Sequence, residues 1–254
     1  MEEITTRRIH QRFARALESY DHHAEAQHRI SLHLAKLLTT YGERHFSRAL
    51  EIGCGTGGFT RCLKSCCTID EWVLNDLCPE CTKPISHLFP GGMPEFIAGD
   101  AETVDFRPSF DLIASASAFQ WIKDQEHFIG RLAELLRPSG RLFFSTFAPG
   151  NLEEIHRLTG CGLCYPSAEQ LTNWLRPYFH LLHVEEEEII LRFAHPLDVL
   201  RHLKQTGVTA TANDIAWTRS RQTDFCRRYT QQYATADQQV TLTYRPLYIV
   251  AVKR

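Results

Sequence analysis

Positions 53 to 58 hold four of the chain's fourteen glycines, Gly53, Gly55, Gly57 and Gly58. They follow a short apolar run, "RALEI" (48–52), and lead into "FTRCLKS" (59–65). Removing side chains from a turn lets something come close to its backbone. A strand feeding a helix through such a turn is the ligand-binding unit of an open α/β sheet. The glycines satisfy two patterns. Gly53, Gly55 and Gly58 fit G-x-G-x-x-G, the dinucleotide fingerprint. Glu51, Gly53, Gly55 and Gly57 fit acid-x-G-x-G-x-G. The glycines alone do not choose between them.

The rest of the chain agrees with an α/β reading. Ile9, Phe13, Ala16, Leu17 and Tyr20 form an apolar stripe of helical period, and Ile30, Leu34, Leu37, Leu38 and Tyr41 form a second. Short apolar strands follow at 71–76, 95–100, 110–117 and 141–147, with a helix marked by Phe128, Leu132, Leu135 and Leu136. This alternation predicts parallel βαβ units. "SAEQLTNWL" (167–175) has a helix start, Ser with Glu two positions on. "HLLHVEEEEIILRF" (180–193) reads as one long strand whose glutamates mark a solvated edge. "VTLTYRPLYIVAVKR" (240–254) reads as another, with Pro246 pointing to a bulge or an edge. Residues 195–239 between them read as a helical lid. A single domain is expected: an N-terminal helical cap over 1–45, a core sheet over 46–194 and 240–254, and the lid.

In such a sheet, ligands bind beyond the carboxyl ends of the strands. Glu51 closes the first strand and Asp76, followed by Leu77, closes the second. Asp100, Ala101 and Glu102 close the third, and Ser115 lies at the end of the fourth. An acid at Asp76 suits ribose hydroxyls, and one at Asp100 suits an adenine amino group. Both NAD and S-adenosylmethionine carry that nucleoside. Glu51 separates them, because a carboxylate there would repel a pyrophosphate and attract the ammonium of a methionine moiety. The small residues of "FDLIASASAFQWI" before the Gln120–Trp121 pair suit a flat donor and a shaped acceptor pocket.

Composition excludes other classes. A net charge of -2 gives no global case for nucleic acid or membrane binding. The N-terminus lacks a signal-peptide pattern, and no run approaches the ~20 apolar residues of a membrane span. A cytoplasmic protein is expected. The nine cysteines are expected as reduced thiols. The pairs Cys78/Cys81 and Cys161/Cys164 stand too far apart for a zinc ribbon, so no metal is expected.

"LEIGCGTGGFT", "NDLCPE", "GDAE", "FDLIASASAFQW" and "LRPSGRLFFSTF", in this order, resemble class I S-adenosylmethionine-dependent methyltransferases. A narrower resemblance covers nearly the whole chain. "RFARALESYDHHAEAQ", "FSTFAPGNLEEI", "VLRHLKQTGVT" and "LTYRPLY" are similar to the malonyl-[acyl-carrier protein] O-methyltransferases of biotin synthesis. It implies a Rossmann-like, doubly wound, mostly parallel seven-stranded sheet. Its last strand is antiparallel, helices precede it, and a helical lid is inserted between the last two strands. It also implies S-adenosylmethionine as cofactor and a malonyl group on acyl carrier protein, or on CoA, as acceptor. Two departures stand out, Cys78 for Ser and Phe119 for Leu. Cys54 and Cys78 would leave the cofactor loop open to oxidation.

The implied chemistry needs no catalytic base. A carboxylic acid with a pKa near ~4 is already ionised at pH 7. The expected task is to hold carboxylate and methyl donor in line. Arg201 is the first candidate for the malonyl carboxylate, because a guanidinium fork matches a carboxylate. Lys204 is next, with His202 turned to another face of the same helix. Tyr20, Gln120 and Trp121 are candidates to shape the acceptor pocket, Tyr20 mainly on the resemblance. Residues 195–235 carry six basic residues against three aspartates, a surplus suited to an acidic carrier protein. A methyltransferase for another small carboxylate or phenol, a non-catalytic adenosyl- or zinc-binding protein, and more weakly a dehydrogenase stand as alternatives.

Overall fold

A computed structural model describes residues 5–208 and 217–254. Asp214, one of the three aspartates counted in the lid, lies outside the described residues. Two helices lead the chain, α1 (Thr6–His23) and α2 (Glu25–Tyr41). Strands and helices then alternate: β1 (His45–Ile52), α3 (Gly58–Cys66), β2 (Thr68–Asp76), α4 (Thr82–Ser86), β3 (Glu95–Ala98), β4 (Phe110–Ser115), α5 (Gln125–Leu135) and β5 (Leu136–Phe147). Next come α6 (Glu153–Thr159), α7 (Ala168–Leu175), β6 (Phe179–Glu186), β7 (Ile189–Phe193), α8 (Pro196–Gln205), α9 (Arg219–Tyr233), β8 (Val240–Tyr244) and β9 (Pro246–Lys253).

The described elements fall into two compact units. One comprises residues 27–148, 166–186 and 246–254. It holds a seven-stranded sheet in the order β3-β2-β1-β4-β5-β9-β6. The β1, β2, β3, β4 and β5 ladders are parallel. The last strand, β9, runs antiparallel between β5 and β6, as the resemblance implies. Every residue of β4 is buried, which is why "FDLIAS" carries apolar side chains on both faces, with the buried Asp111 and Ser115 each hydrogen-bonded to backbone. Phe119 stacks on Phe144 with ring centroids 4.0 Å apart, in a core that includes Leu50, Ile113 and Ile249. Helix α7 starts on a capping box. Ser167 and Gln170 bond each other's backbone N–H, so Gln170, and not the Glu169 read from the sequence, completes the cap.

Among the described residues, the second unit comprises 5–26, 149–165, 187–208 and 217–245. Strands β7 and β8 pair antiparallel in their own two-stranded sheet. The segments "APGNLEEI" and "LTYR" meet here. Thr243 donates both its N–H and its hydroxyl to the buried Glu154 carboxylate, at 3.1 and 2.7 Å. Asn151 Oδ1 accepts the Arg245 N–H at 3.0 Å, and Leu152 N–H reaches Thr243 O at 2.8 Å. Helix α8 turns His202 inward, its ring nitrogen 2.9 Å from Tyr244 Oη, while Arg201 and Lys204 face solvent.

Two strand readings need correction. Residues 180–193 form two strands in different sheets, β6 and β7, broken after Glu186. The better-buried side chains sit at odd positions in both strands, so the alternation runs through the break unaltered and cannot signal it. β6 is an edge strand, as expected of its glutamates. One of them, Glu185, is nevertheless engaged, with His33 and His183 nitrogens 2.9 and 2.8 Å from the same oxygen. The C-terminal run is likewise β8 and β9, split at Arg245. Pro246 marks neither a bulge nor an edge: it opens an interior strand opposite Phe147. A strand's first residue is where a missing N–H does least harm.

Candidate active site

The glycine turn joins β1 to α3 in the seven-stranded unit. Gly53, Gly55 and Gly57 have φ of +70°, +53° and +82°, values that L side chains rarely adopt. The surroundings differ. A Cβ on Gly53 would lie 2.4 Å from the Ala118 Cβ, so that glycine admits the segment following β4. A Cβ on Gly55 would meet nothing within 4 Å, so that glycine keeps a space open. Asn75 carbonyl oxygen accepts the Gly53 and Cys54 N–H groups at 2.8 and 3.0 Å. The Asn75 amide in turn donates to Ile97 and Gly99 carbonyls at 2.8 and 3.1 Å. One residue at the end of β2 thus ties the ends of three strands together, by its backbone carbonyl to the turn after β1 and by its side chain to the end of β3.

Asp76 braces the turn. One carboxylate oxygen accepts Gly55 N–H and the other Cys78 N–H, each at 2.8 Å. Burial pushes its acid up from the usual range, against the pull of those two N–H groups. Glu51 is 2% exposed and accepts the Thr60 hydroxyl at 2.8 Å. Burial raises its pKa to about 8, with Asp76 adding to the rise and Thr60 and Arg61 opposing it. Glu51 is therefore not a standing anion at pH 7. A cation brought against it would favour the ionised form and draw the proton off.

The other residues predicted at the strand ends divide by role. Asp100 Oδ1 accepts the Glu102 N–H at 3.0 Å in a tight turn after β3. Ala101 and Glu102 carbonyls hold Arg131 at 2.9 and 2.6 Å. The Glu102 carboxylate takes the N–H groups of Lys123 and Asp124 at 3.1 and 3.0 Å, so it anchors the turn before α5. Ser115 is buried, with its hydroxyl donated to Ile52 O at 2.9 Å. Leu77 is half-buried beside Asp76. Gln120 and Trp121 form a short helical turn after β4. The structure therefore gathers Glu51, Gly53, Gly55, Gly57, Asp76, Asp100 and Gln120 at the carboxyl ends of adjacent strands of one unit. Tyr20, Arg201 and Lys204 belong to the other unit. Tyr20 lies 6.4 Å from Phe13 by ring centroids. Arg201 is 63% exposed and pairs with Asp198 at 2.5 Å.

Sequence reasoning missed Thr60, Asn75 and Ser117. Thr60 is one turn into α3 and looked like an ordinary helical residue. Nothing in its spacing announces the bond to Glu51. The expected oxidation of the loop finds no support: Cys54 and Cys78 are buried, and desolvation pushes the Cys54 thiol well up, away from the reactive thiolate.

The space at Gly55, the buried acid at Glu51 and the acid at Asp76 fit a ligand with a nucleoside and a cationic amine. A methyltransferase-domain family model matches residues 50–144. The N-methyltransferase NodS from Bradyrhizobium japonicum, solved with S-adenosyl-L-homocysteine, superimposes with a TM-score of 0.52 at 17% identity, covering 88% of this chain and 85% of its own. The YcgJ protein of Bacillus subtilis superimposes with a TM-score of 0.61 at 17% identity, covering 87% of this chain and 98% of its own. Likenesses at that identity speak to fold alone. A malonyl-[acyl-carrier protein] O-methyltransferase from Porphyromonas gingivalis is 49% identical over 252 residues, 99% of this chain and 97% of the relative. Identity at that level over nearly both full lengths places the chain in the malonyl-[acyl-carrier protein] O-methyltransferase family.

Proposed function

We propose that this methyltransferase uses S-adenosylmethionine to methylate the free carboxylate of malonyl-acyl carrier protein, giving the malonyl methyl ester, an early step of biotin synthesis. The single observation that carries this reading is the 49% identity to the Porphyromonas gingivalis enzyme over 99% of the chain. The glycine turn, Glu51 and Asp76 support the cofactor. When bound, S-adenosylmethionine supplies an activated methyl group. The protein's part is to take up the amine beside Glu51, the ribose beside Asp76 and the adenine near Asp100, and to align the acceptor carboxylate. That carboxylate is ionised at neutral pH, so no residue need remove a proton. Its charge is lost as the ester forms, so strong anion stabilisation at the reacting oxygens would slow the reaction. A labelled-donor assay comparing malonyl-carrier protein, malonyl-CoA and free malonate tests the reading. Labelling of another small acid or phenol with none of the malonyl compounds would overturn it.

Arg201 is the proposed anchor for the malonyl end. It already pairs with Asp198, so acceptor binding would exchange one carboxylate for another. Arg201→Ala is expected to raise the KM for the malonyl acceptor about tenfold, as loss of a charge-assisted bond would, with cofactor affinity unchanged. A silent substitution would move the role to Lys204.

The proposed protein partner is acyl carrier protein, acidic as a family. Helix α9 presents Arg219, Arg221, Arg227 and Arg228. Both Arg227 and Arg228 share the single Asp224, at 2.7 and 3.9 Å, leaving a basic surplus on an exposed face. Such charges act on association rate and are screened by salt. Reversing Arg227 and Arg228 to Glu is expected to slow turnover of the carrier-bound acceptor several-fold at low salt and to leave malonyl-CoA nearly unaffected. The difference should shrink near ~0.5 M salt. Equal, salt-independent losses on both acceptors would show that these arginines support the helix and dock no partner.

A further inference from the structure

Two side-chain atoms just beyond β4 are shielded from solvent yet take no hydrogen bond among the described residues, Ser117 Oγ and Gln120 Oε1. The segment that carries them is held from several sides. Ser117 N–H donates to Ser145 Oγ at 3.0 Å, and Ser117 itself sits at φ +56°. Ala118, between the two, is the residue whose Cβ a side chain on Gly53 would strike. Gln120 Nε2 donates to Ser117 O at 2.6 Å. That bond fixes which way the amide points, because turning it over would set oxygen against oxygen. The oxygen of Gln120 is therefore left over, two residues along the chain from Ala118, which packs against Gly53.

A buried polar atom without a partner costs about 1–3 kcal/mol. Two of them, three residues apart in a segment this well fixed, beside the turn that receives the cofactor, are explained by a partner that arrives with a ligand. The chemistry of that partner is restricted. A carboxamide oxygen only accepts hydrogen bonds. It cannot pair with the acceptor's carboxylate, nor with a thioester carbonyl. One N–H of its amide nitrogen is committed to Ser117 O, which leaves the oxygen as the group without a partner among the described residues.

We propose that Gln120 is a specificity-determining residue whose Oε1, with Ser117 Oγ close by in the chain, accepts an N–H of a bound ligand. With the adenine amino group read as the partner of Asp100, two N–H donors of the proposed ligands are left for Gln120: the α-ammonium of the cofactor, and the amide of the pantetheine arm that bears the malonyl thioester. The second source rests on the proposed acceptor and the first does not.

The test uses Gln120→Met, which keeps side-chain length and removes the amide, and Ser117→Ala, which removes the hydroxyl and keeps the backbone bonds. Calorimetry compares S-adenosylhomocysteine with 5′-methylthioadenosine, which lacks the amine. Kinetics compares malonyl-pantetheine with the malonyl thioester of a simple alkanethiol, which lacks the amide. Gln120→Met is expected to weaken one N–H-bearing ligand about tenfold and to leave its partner within about twofold. Loss confined to the nucleoside pair assigns the ammonium, and loss confined to the thioester pair assigns the amide. Ser117→Ala should weaken the same ligand by less. Unchanged behaviour, or equal losses on both members of each pair, would overturn the proposal and leave Gln120 as a support of the turn. Failure of the unsubstituted protein to methylate any malonyl thioester would sink the proposed acceptor instead, and the nucleoside pair would then decide the role of Gln120.

Discussion

Affinity for S-adenosylmethionine is expected to fall by about tenfold for each pH unit below 8, reaching roughly a hundredfold loss at pH 6. The cause is Glu51, whose pKa burial raises to about 8. The sign follows from which form the ligand needs. A cationic amine binds beside the ionised carboxylate, and below pH 8 most molecules must first give up a proton. Binding at pH 7 should accordingly release about one proton, measurable as a dependence of calorimetric heat on buffer ionisation enthalpy. Above pH 8 the amine of the ligand begins to lose its own proton, its ordinary pKa being ~7.7–8.0, so affinity should peak near that pH. Turnover at saturating cofactor should stay flat from pH 6 to 8, because the acceptor carboxylate is ionised throughout. The two parameters thus separate: kcat flat, cofactor KM steep. Glu51→Gln should flatten the cofactor profile. A pH-independent affinity in the unsubstituted protein would show that Glu51 does not face the ligand's amine. A kcat rising tenfold per pH unit would reveal a general base.

Gly55→Ala is expected to abolish detectable cofactor binding while leaving the fold nearly intact. The two effects come apart because of what surrounds this glycine. Its φ of +53° makes alanine unfavourable by about 1 kcal/mol, a few degrees in Tm for a chain of this size. The new methyl group touches no protein atom within 4 Å and projects into the space the turn keeps open. Gly53→Ala makes the opposite comparison. Its methyl would lie 2.4 Å from the Ala118 Cβ, so it should cost fold stability as well as binding. Thermal melts and calorimetry on both variants distinguish the cases. A Gly55→Ala protein that binds cofactor normally would show that the open space belongs to solvent. Asp76→Ala falls between them, since Asp76 braces Gly55 N–H at 2.8 Å and is also the proposed ribose contact.

Much of this was legible in the order of residues. Glycines that a turn at positive φ requires, acids at successive strand ends and a mostly apolar β4 are local properties, set by covalent geometry and by which faces a strand buries. They specify strand-turn-helix units whatever lies elsewhere in the chain, and the motif order added the family. Other features depend on which distant segments become neighbours. The runs at 180–193 and 240–254 each divide between two sheets. In the first the hydrophobic alternation passes the break unaltered, because alternation records burial and not the identity of the partner strand. In the second the alternation of β8 gives way to the fully buried start of β9, with only Arg245 between them. The motifs around Asn151 and Thr243 are 92 positions apart, and only folding shows that they hydrogen-bond to each other's segments through Glu154 and Arg245. Glu51 illustrates the division within a single residue. Its position at the end of β1 follows from the sequence, but its protonation does not. Charge at a carboxyl group depends on the water removed from around it, and that depends on the tertiary packing that buries Glu51 against Thr60.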